Sequence, residues 1–210
     1  MWALDGTFDV VNELYTQLFT LHGITDEGWV FPLVYALLPD KKTSSYKYVL
    51  NELTFNAFGL LLNPTIVIMD FERAEINAVN AIFPNAKLQG CHFHFFQALH
   101  RHFSSEMKKH YSEDVNFCLL MKKIFALAFV KEEDVRLAFD LLVKCNMYKG
   151  KLNDDLKTFF DYVKSTYIGT EYAPPMYALS FWNVHRRVLD DRPRTNNSVT
   201  ILLYVNAFCD

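Results

Sequence analysis

The chain has 210 residues, a formal net charge of −3 and a hydrophobic content of 51%. This length suits one domain, or one domain with a sizeable insertion, and the composition is that of a protein with a packed core. The charge balance excludes bulk attraction to nucleic acid, so any DNA binding depends on local basic clusters. The sequence has three such clusters: His100–His102, Lys108–His110, and Arg186–Arg187 with Arg192 and Arg194.

The lack of targeting segments and the scattered cysteines indicate the cellular compartment in which the protein resides. No apolar run reaches the roughly 20 residues of a membrane span, and the N-terminus lacks a signal-like segment, so we expect an intracellular protein without a membrane partner. The four cysteines, at positions 91, 118, 145 and 209, are scattered, which predicts reduced thiols. The chain opens at the edge of a predicted strand, which is typical of a piece cut from something longer.

A hairpin and a helix are predicted for the first 60 residues. Tyr15–Leu21 and Trp29–Leu38 are rich in aromatic and branched residues, and the segment between them has turn chemistry. Pro32 lacks an N–H, so we expect it at a sheet edge or a bulge. From Ser44 to Phe58 apolar side chains recur at helical spacing, and Gly59 is the predicted end of that helix.

An unbroken apolar run, Pro64–Met69, ends abruptly in the carboxylate of Asp70. Such a run predicts a strand buried on both faces, and Glu75–Phe83 behind it predicts a helix that Pro84 stops. In open α/β sheets ligands bind beyond the carboxyl ends of strands, so Asp70 is a candidate site residue. The alternative is that Asp70 only caps the following helix.

The pattern changes after a further short predicted strand at Lys87–Cys91. From Phe95 to about Leu189 apolar residues recur at helical spacing, interrupted only at Ala173–Pro175. The chain therefore divides into a sheet-forming part (1–94), a helical part (95–189) and a C-terminal part (190–210).

A second acid, Asp5, is placed at the end of the first predicted strand. If that strand lies beside the Ile66 strand, Asp5 and Asp70 point to one rim of the sheet, about 4 to 8 Å apart, where they can share hard divalent cations. Paired carboxylates that hold Mg²⁺ or Mn²⁺ suit in-line displacement at phosphorus, because the metals stabilise the entering and leaving oxygens. Two acids alone are weak support, since any chain of this length has several acids at strand ends.

The residues around these acids are more specific. Five segments occur in order: Asp5–Phe8, Pro32–Leu38, Met69–Ala74, Gly90–Phe95 and Arg194–Asn197. Together they resemble the transposase domain of Mutator-like elements, the MULE family, from residue 1 to about residue 199.

This resemblance implies an α/β fold of the ribonuclease H type, with a mixed five-stranded sheet, flanking helices and a large all-helical insertion. It also implies a DDE-type enzyme that uses Mg²⁺ or Mn²⁺ to cut DNA at element ends and join them to target DNA. DNA as partner, a nuclear location and a homo-oligomer that brings two DNA ends together follow from the same resemblance. The first two acids of the family fall on Asp5 and Asp70, and its Cys-x-x-His motif falls on Cys91 and His94.

Cys91 and His94 are also, by chemistry alone, half of a zinc site. No second Cys/His pair follows at the spacing of a structural zinc site, so we favour a buried thiol and a histidine hydrogen-bonded near the metal rim. Glu72, two residues past Asp70, is expected to pair with Arg73 or to face solvent.

The third acid is where the chain departs from the family pattern. In the family a Glu follows the Thr-Asn-Asn segment and opens a helix, but Thr200 occupies that place here and Ile201–Asp210 lacks a helical pattern. Asp190 and Asp191 precede the segment, and we do not expect them to substitute. The sequence therefore predicts weak metal binding and no DNA cleavage. The alternatives are a non-catalytic DNA- or protein-binding module of transposase descent, and a helical interaction protein in which the acids are incidental.

Overall fold

The computed structural model describes residues 1–7, 11–57, 62–145 and 148–195. Gly59, Thr200 and the segment Ile201–Asp210, which carry predictions made above, lie outside the described residues. The chain forms two compact units, Met1–Phe93 and His94–Arg194, which are taken in turn.

The first unit is built on a mixed five-stranded sheet with the strand order β3-β2-β1-β4-β5. β1, β2 and β3 are antiparallel neighbours, whereas β1 with β4 and β4 with β5 are parallel. The predicted α/β class and the mixed five-stranded sheet are thus confirmed. The strands are β1 Trp2–Thr7, β2 Gln17–Ile24, β3 Val30–Leu38, β4 Ile66–Met69 and β5 Lys87–Gly90.

The predicted hairpin is β2 and β3, and β3 is an outer strand of the sheet. Its register shifts in the middle: Leu21 pairs with Val34, but His22 pairs with Pro32. Leu33 is therefore an extra residue on β3, which makes a bulge. Pro32 lies beside this bulge on an edge strand, as its missing N–H predicted.

Two helices of the first unit pack against each other. α1 spans Thr43–Asn51 and continues as a π-helix over Glu52–Ala57, and α2 spans Arg73–Ile82. The residue at the N-cap position of α2 is Glu72, and its side chain makes no capping hydrogen bond. Asp70 therefore does not occupy the N-cap position of this helix.

The described part of the second unit consists of helices and their connections, with no strand, as the apolar spacing predicted. None of the helices in the described part of the chain is both long and apolar enough to cross a membrane. The part of the predicted helical stretch that follows Ala173–Pro175 and ends at Leu189 contains two short helices. The helices are α3 His92–Arg101, α4 Ser105–Glu113, α5 Val115–Phe125, α6 Val135–Lys144, α7 Gly150–Val163, α8 Leu179–Trp182 and α9 His185–Leu189.

Aromatic side chains form much of the core of the second unit. Trp182 is buried, and its ring stacks on Phe95 at a centroid distance of 4.8 Å. Its indole N–H donates to the carbonyl oxygen of Tyr167 at 2.9 Å, so the buried polar tip has a partner.

Candidate metal centre

The parallel pairing of β1 with β4 brings Asp5 beside Asp70. Ala3 of β1 pairs with Ile68 of β4, so two further steps along the same register reach the two acids. Asp70 directly follows β4, at the carboxyl end of the strand, where ligands of open α/β sheets bind.

Asp5, in contrast, does not end its strand as predicted. It lies two residues before Thr7, the last residue of β1. β1 continues past Asp5 because it stays paired with β2, in which Thr20 is directly opposite, and the Thr20 hydroxyl donates to the backbone carbonyl of Asp5 at 3.3 Å. Only 5% of Asp5 is exposed. A carboxylate this buried requires compensating hydrogen bonds or a cation.

One carboxylate oxygen of Asp5 lies within 4.8 Å of one carboxylate oxygen of Asp70. The predicted proximity of the two carboxylates is therefore present, which argues against the alternative in which the acids are incidental. Metal–oxygen distances are about 2.0–2.6 Å, so ligands on opposite sides of one cation are roughly 4–5 Å apart. The spacing fits a single divalent cation, which would also relieve the repulsion between two ionised carboxylates.

The Cys-x-x-His motif lies where β5 ends and α3 begins. His94 lies in the first turn of α3, directly after β5. Cys91 is fully buried, and its backbone N–H donates to the carbonyl oxygen of Met69 at 2.8 Å, which extends the pairing of β4 with β5. Among the described residues, Cys91 belongs to no group of three or more His, Cys, Asp or Glu side chains placed to hold a metal.

Glu72 is fixed by contacts that the sequence analysis did not foresee. The amide nitrogen of Gln17 donates to the hydroxyl of Tyr46 at 2.5 Å, and that hydroxyl donates to the carboxylate of Glu72 at 2.7 Å. Burial, above all, raises the pKa of Tyr46, so the hydroxyl remains a donor at neutral pH. The Nζ of Lys41 lies 3.6 Å from the second carboxylate oxygen of Glu72. These contacts join α1 to the segment that carries Asp70.

A buried histidine also lies on the face of the sheet that carries Asp5. His22 pairs with Ala3 as Thr20 pairs with Asp5, and residues opposite one another, or two apart on a strand, share a face. His22 is fully buried, and neither ring nitrogen has a hydrogen-bond partner among the described residues. Burial lowers the pKa of His22, which favours the neutral ring. Sequence reasoning missed His22 because a single His in an alternating strand does not reveal how deeply it is covered.

The basic cluster near the end of the second unit is not a free cationic patch. Arg187 is only 2% exposed and donates to the carbonyl oxygen of Phe181 at 2.8 Å. Asp190 lies 3.2 Å from Arg186 and 2.5 Å from Arg192. The acid considered above as a substitute ligand is thus engaged by two arginines.

The fold and site together define a mixed α/β protein with paired carboxylates at the rim of two adjacent parallel strands. Residues 1–98 match the family model of the MULE transposase domain. The match spans Asp5, Asp70, Cys91 and His94, confirms the resemblance for this part of the chain, and indicates a transposase-like function. The Arg194–Asn197 motif lies outside it. No curated protein matches the chain.

Proposed function

We propose that the chain is a ribonuclease H-like domain of the DDE transposase type in which Asp5 and Asp70 bind Mg²⁺ or Mn²⁺ weakly and which does not cleave DNA. The observation that carries the proposal is the convergence of the two carboxylates, within 4.8 Å, inside the segment matched by the MULE family. The organisation into a sheet core (1–94), a helical insertion (95–189) and a remnant of the C-terminal core (190–210) belongs to the same proposal.

The charge of the site limits how many cations it can hold. Asp5 and Asp70 supply two negative charges when ionised, which balance one divalent cation. Mg²⁺ and Mn²⁺ prefer oxygen ligands, which both carboxylates supply. A bound cation supplies Lewis-acid stabilisation of oxygens at phosphorus, and the two-metal form of that chemistry requires a second ion. Without a third carboxylate, the second ion is held poorly.

The expected consequence is negligible DNA cleavage and strand transfer. Losing a single strong electrostatic contributor at a catalytic centre costs on the order of 10²–10³ in rate, and a missing metal costs more. Introducing an acid by Thr200→Glu does not restore the activity, because Ile201–Asp210 has no helical pattern to direct the new carboxylate.

Incubation of the purified chain with end-labelled DNA and Mn²⁺ tests this proposal, with Asp70→Asn as the paired variant. We expect no product from either protein. Metal-dependent nicking by the unchanged chain that disappears in Asp70→Asn overturns the claim of inactivity, and it would require another acid of this chain as the third ligand.

The second candidate function is a non-catalytic DNA- or protein-binding module of transposase descent, and Thr200 in the place of the third acid favours it. This reading predicts DNA binding in the nucleus that does not depend on the carboxylates. Fluorescence anisotropy of labelled DNA separates the two functions: affinity that is equal for the unchanged chain and Asp70→Asn, with and without Mn²⁺, supports the binding module. Anisotropy that does not change on adding protein rejects DNA as its partner.

A further inference from the structure

The pairing of β1 with β4 ends before it reaches the two acids. Ala3 with Ile68 is the last pair of this register, and Asp5 and Asp70 lie two positions further along their segments. Asp70 is the first residue of the short connection 70–72 that joins β4 to α2. The strand pairing alone therefore does not fix the distance between the two carboxylates, and other contacts must hold the connection in place.

Asp5 is held from the other side of β1 by β2. Thr20 of β2 lies directly opposite Asp5, and its hydroxyl donates to the backbone carbonyl of Asp5 at 3.3 Å. The β1–β2 register also continues past this pair, to Thr7 with Leu18. The backbone that carries the first carboxylate is thus fixed by an unbroken antiparallel ladder on β2.

Glu72 holds the connection that carries the second carboxylate. A carboxylate at the start of a helix ordinarily accepts from amide N–H groups of the first turn. Glu72 occupies the N-cap position of α2, but its side chain makes no such bond. One of its oxygens accepts instead from the hydroxyl of Tyr46 on α1 at 2.7 Å, and the other lies 3.6 Å from the Nζ of Lys41. The connection is therefore tied to α1.

Tyr46, in turn, is anchored on β2. Its hydroxyl accepts from the amide nitrogen of Gln17 at 2.5 Å, and its ring meets the ring of Phe19 edge-on at a centroid distance of 5.4 Å. Tyr46 is only 1% exposed, and close packing of this kind allows little movement. Since β2 also holds Asp5, the same strand supports both carboxylates, one directly and the other through the hydrogen bond between Tyr46 and Glu72.

We propose that Glu72 is a positioning residue of the metal site: its hydrogen bond to Tyr46 holds Asp70 at the separation from Asp5 at which both carboxylates bind one cation. This inference rests on the proposed binding of Mg²⁺ or Mn²⁺ by the two acids. Replacing a residue that orients a metal ligand typically lowers metal affinity about 10- to 100-fold. Glu72 acts through the backbone of the connection, so we expect a smaller effect, about fivefold.

Electron paramagnetic resonance of free Mn²⁺, titrated with the 210-residue chain, tests the proposal. Glu72→Ala should raise the dissociation constant about fivefold, and so should Tyr46→Phe, which removes the same hydrogen bond but keeps the charge of Glu72. Glu72→Gln should restore the affinity to within about twofold of the unchanged chain, because its amide oxygen still accepts from Tyr46. Tyr48→Phe, at a residue that is 66% exposed, is the matched control for Tyr46→Phe. Far-UV circular dichroism verifies that each variant is folded.

Equal losses of affinity in Glu72→Gln and Glu72→Ala would assign the effect to the negative charge of Glu72, and an unchanged affinity in Glu72→Ala would remove Glu72 from the site. Either result overturns the proposal. In the Asp70→Asn background Glu72→Ala should add no further loss, because its effect passes through Asp70, and an additive loss would contradict this route. A loss in Asp70→Asn without one in Glu72→Ala rejects the positioning role alone, whereas an unchanged affinity in Asp70→Asn rejects the proposed metal site as well.

Discussion

The central strand and the outer strand of the same sheet are both exceptions to the rule that apolar side chains are buried and polar ones exposed. The central strand buries a polar side chain, and the outer strand exposes apolar ones. On the central strand β1, a carboxylate, Asp5, is almost fully buried, whereas on the outer strand β3 the apolar side chains of Tyr35 and Leu37 are about half exposed. Buried polar groups and exposed apolar rows are the informative exceptions in a folded chain. Beside Asp5, a cation shared with Asp70 would relieve the repulsion between the two carboxylates.

The largest difference between the two regions is expected in the free energy of unfolding, when one leucine of each strand is replaced by alanine. Leu4→Ala on β1 removes a fully buried side chain and should lower the free energy of unfolding by about 3 kcal/mol. Leu37→Ala on β3 removes a side chain that is 49% exposed, and it should cost less than about 1 kcal/mol in the monomer. Urea unfolding at a concentration low enough to avoid association measures both values. Equal losses would show that β3 is as deeply packed as β1.

Neutralising one acid of the carboxylate pair should lower the affinity of the site for metal. Asp70→Asn should weaken Mn²⁺ binding at least about tenfold, a change of about 1.4 kcal/mol, because it removes a charge and an oxygen ligand of the proposed site. Asp140→Asn, at an exposed position of α6, is the control and should leave the affinity unchanged. Electron paramagnetic resonance of free Mn²⁺ measures both. If Asp70→Asn binds Mn²⁺ like the unchanged chain, Asp70 is not a metal ligand.

An effect of comparable size, here on stability instead of metal affinity, is expected from the hydrogen bonds that hold Glu72. Tyr46→Phe removes the acceptor of the buried Gln17 amide and the donor to Glu72, so it should lower the free energy of unfolding by about 1–2 kcal/mol. Tyr48→Phe is matched in chemistry but lies at a residue that is 66% exposed, and it should change stability by less than about 0.5 kcal/mol. Thermal or urea unfolding that fails to separate the two variants would mean that these hydrogen bonds contribute nothing net.

The smallest predicted effect is the pH dependence that comes from His22. Burial lowers its pKa in the folded chain below the ordinary histidine value of about 6.5, so the unfolded chain binds more protons as the pH falls below that value. This component of stability is therefore complete at higher pH and declines below about pH 6.5, by at most about 1.4 kcal/mol per pH unit for one group.

His22→Leu should remove that component. Urea midpoints of the unchanged chain and of His22→Leu, compared between about pH 8 and pH 5, measure it. The same acid sensitivity in the unchanged chain and in His22→Leu would assign the effect to other groups.

Local patterns in the sequence determined most of the elements. The apolar run that ends in Asp70 is β4, Pro32 lies at an edge and beside a bulge, and the described part of residues 95–189 consists of helices and their connections, with no strand. These features depend on residue spacing and backbone chemistry within a few residues, so they can be read without knowing the neighbours. The motif residues Asp5, Asp70, Cys91 and His94 were likewise available from the sequence.

Only the tertiary structure decided which of these residues meet. The β1–β4 register places Asp5 beside Asp70. The burial of Arg187 and of His22 was equally invisible in the sequence. Each of these outcomes depends on pairing or packing between segments far apart in the chain, whereas residue periodicity records only which face of one element is covered.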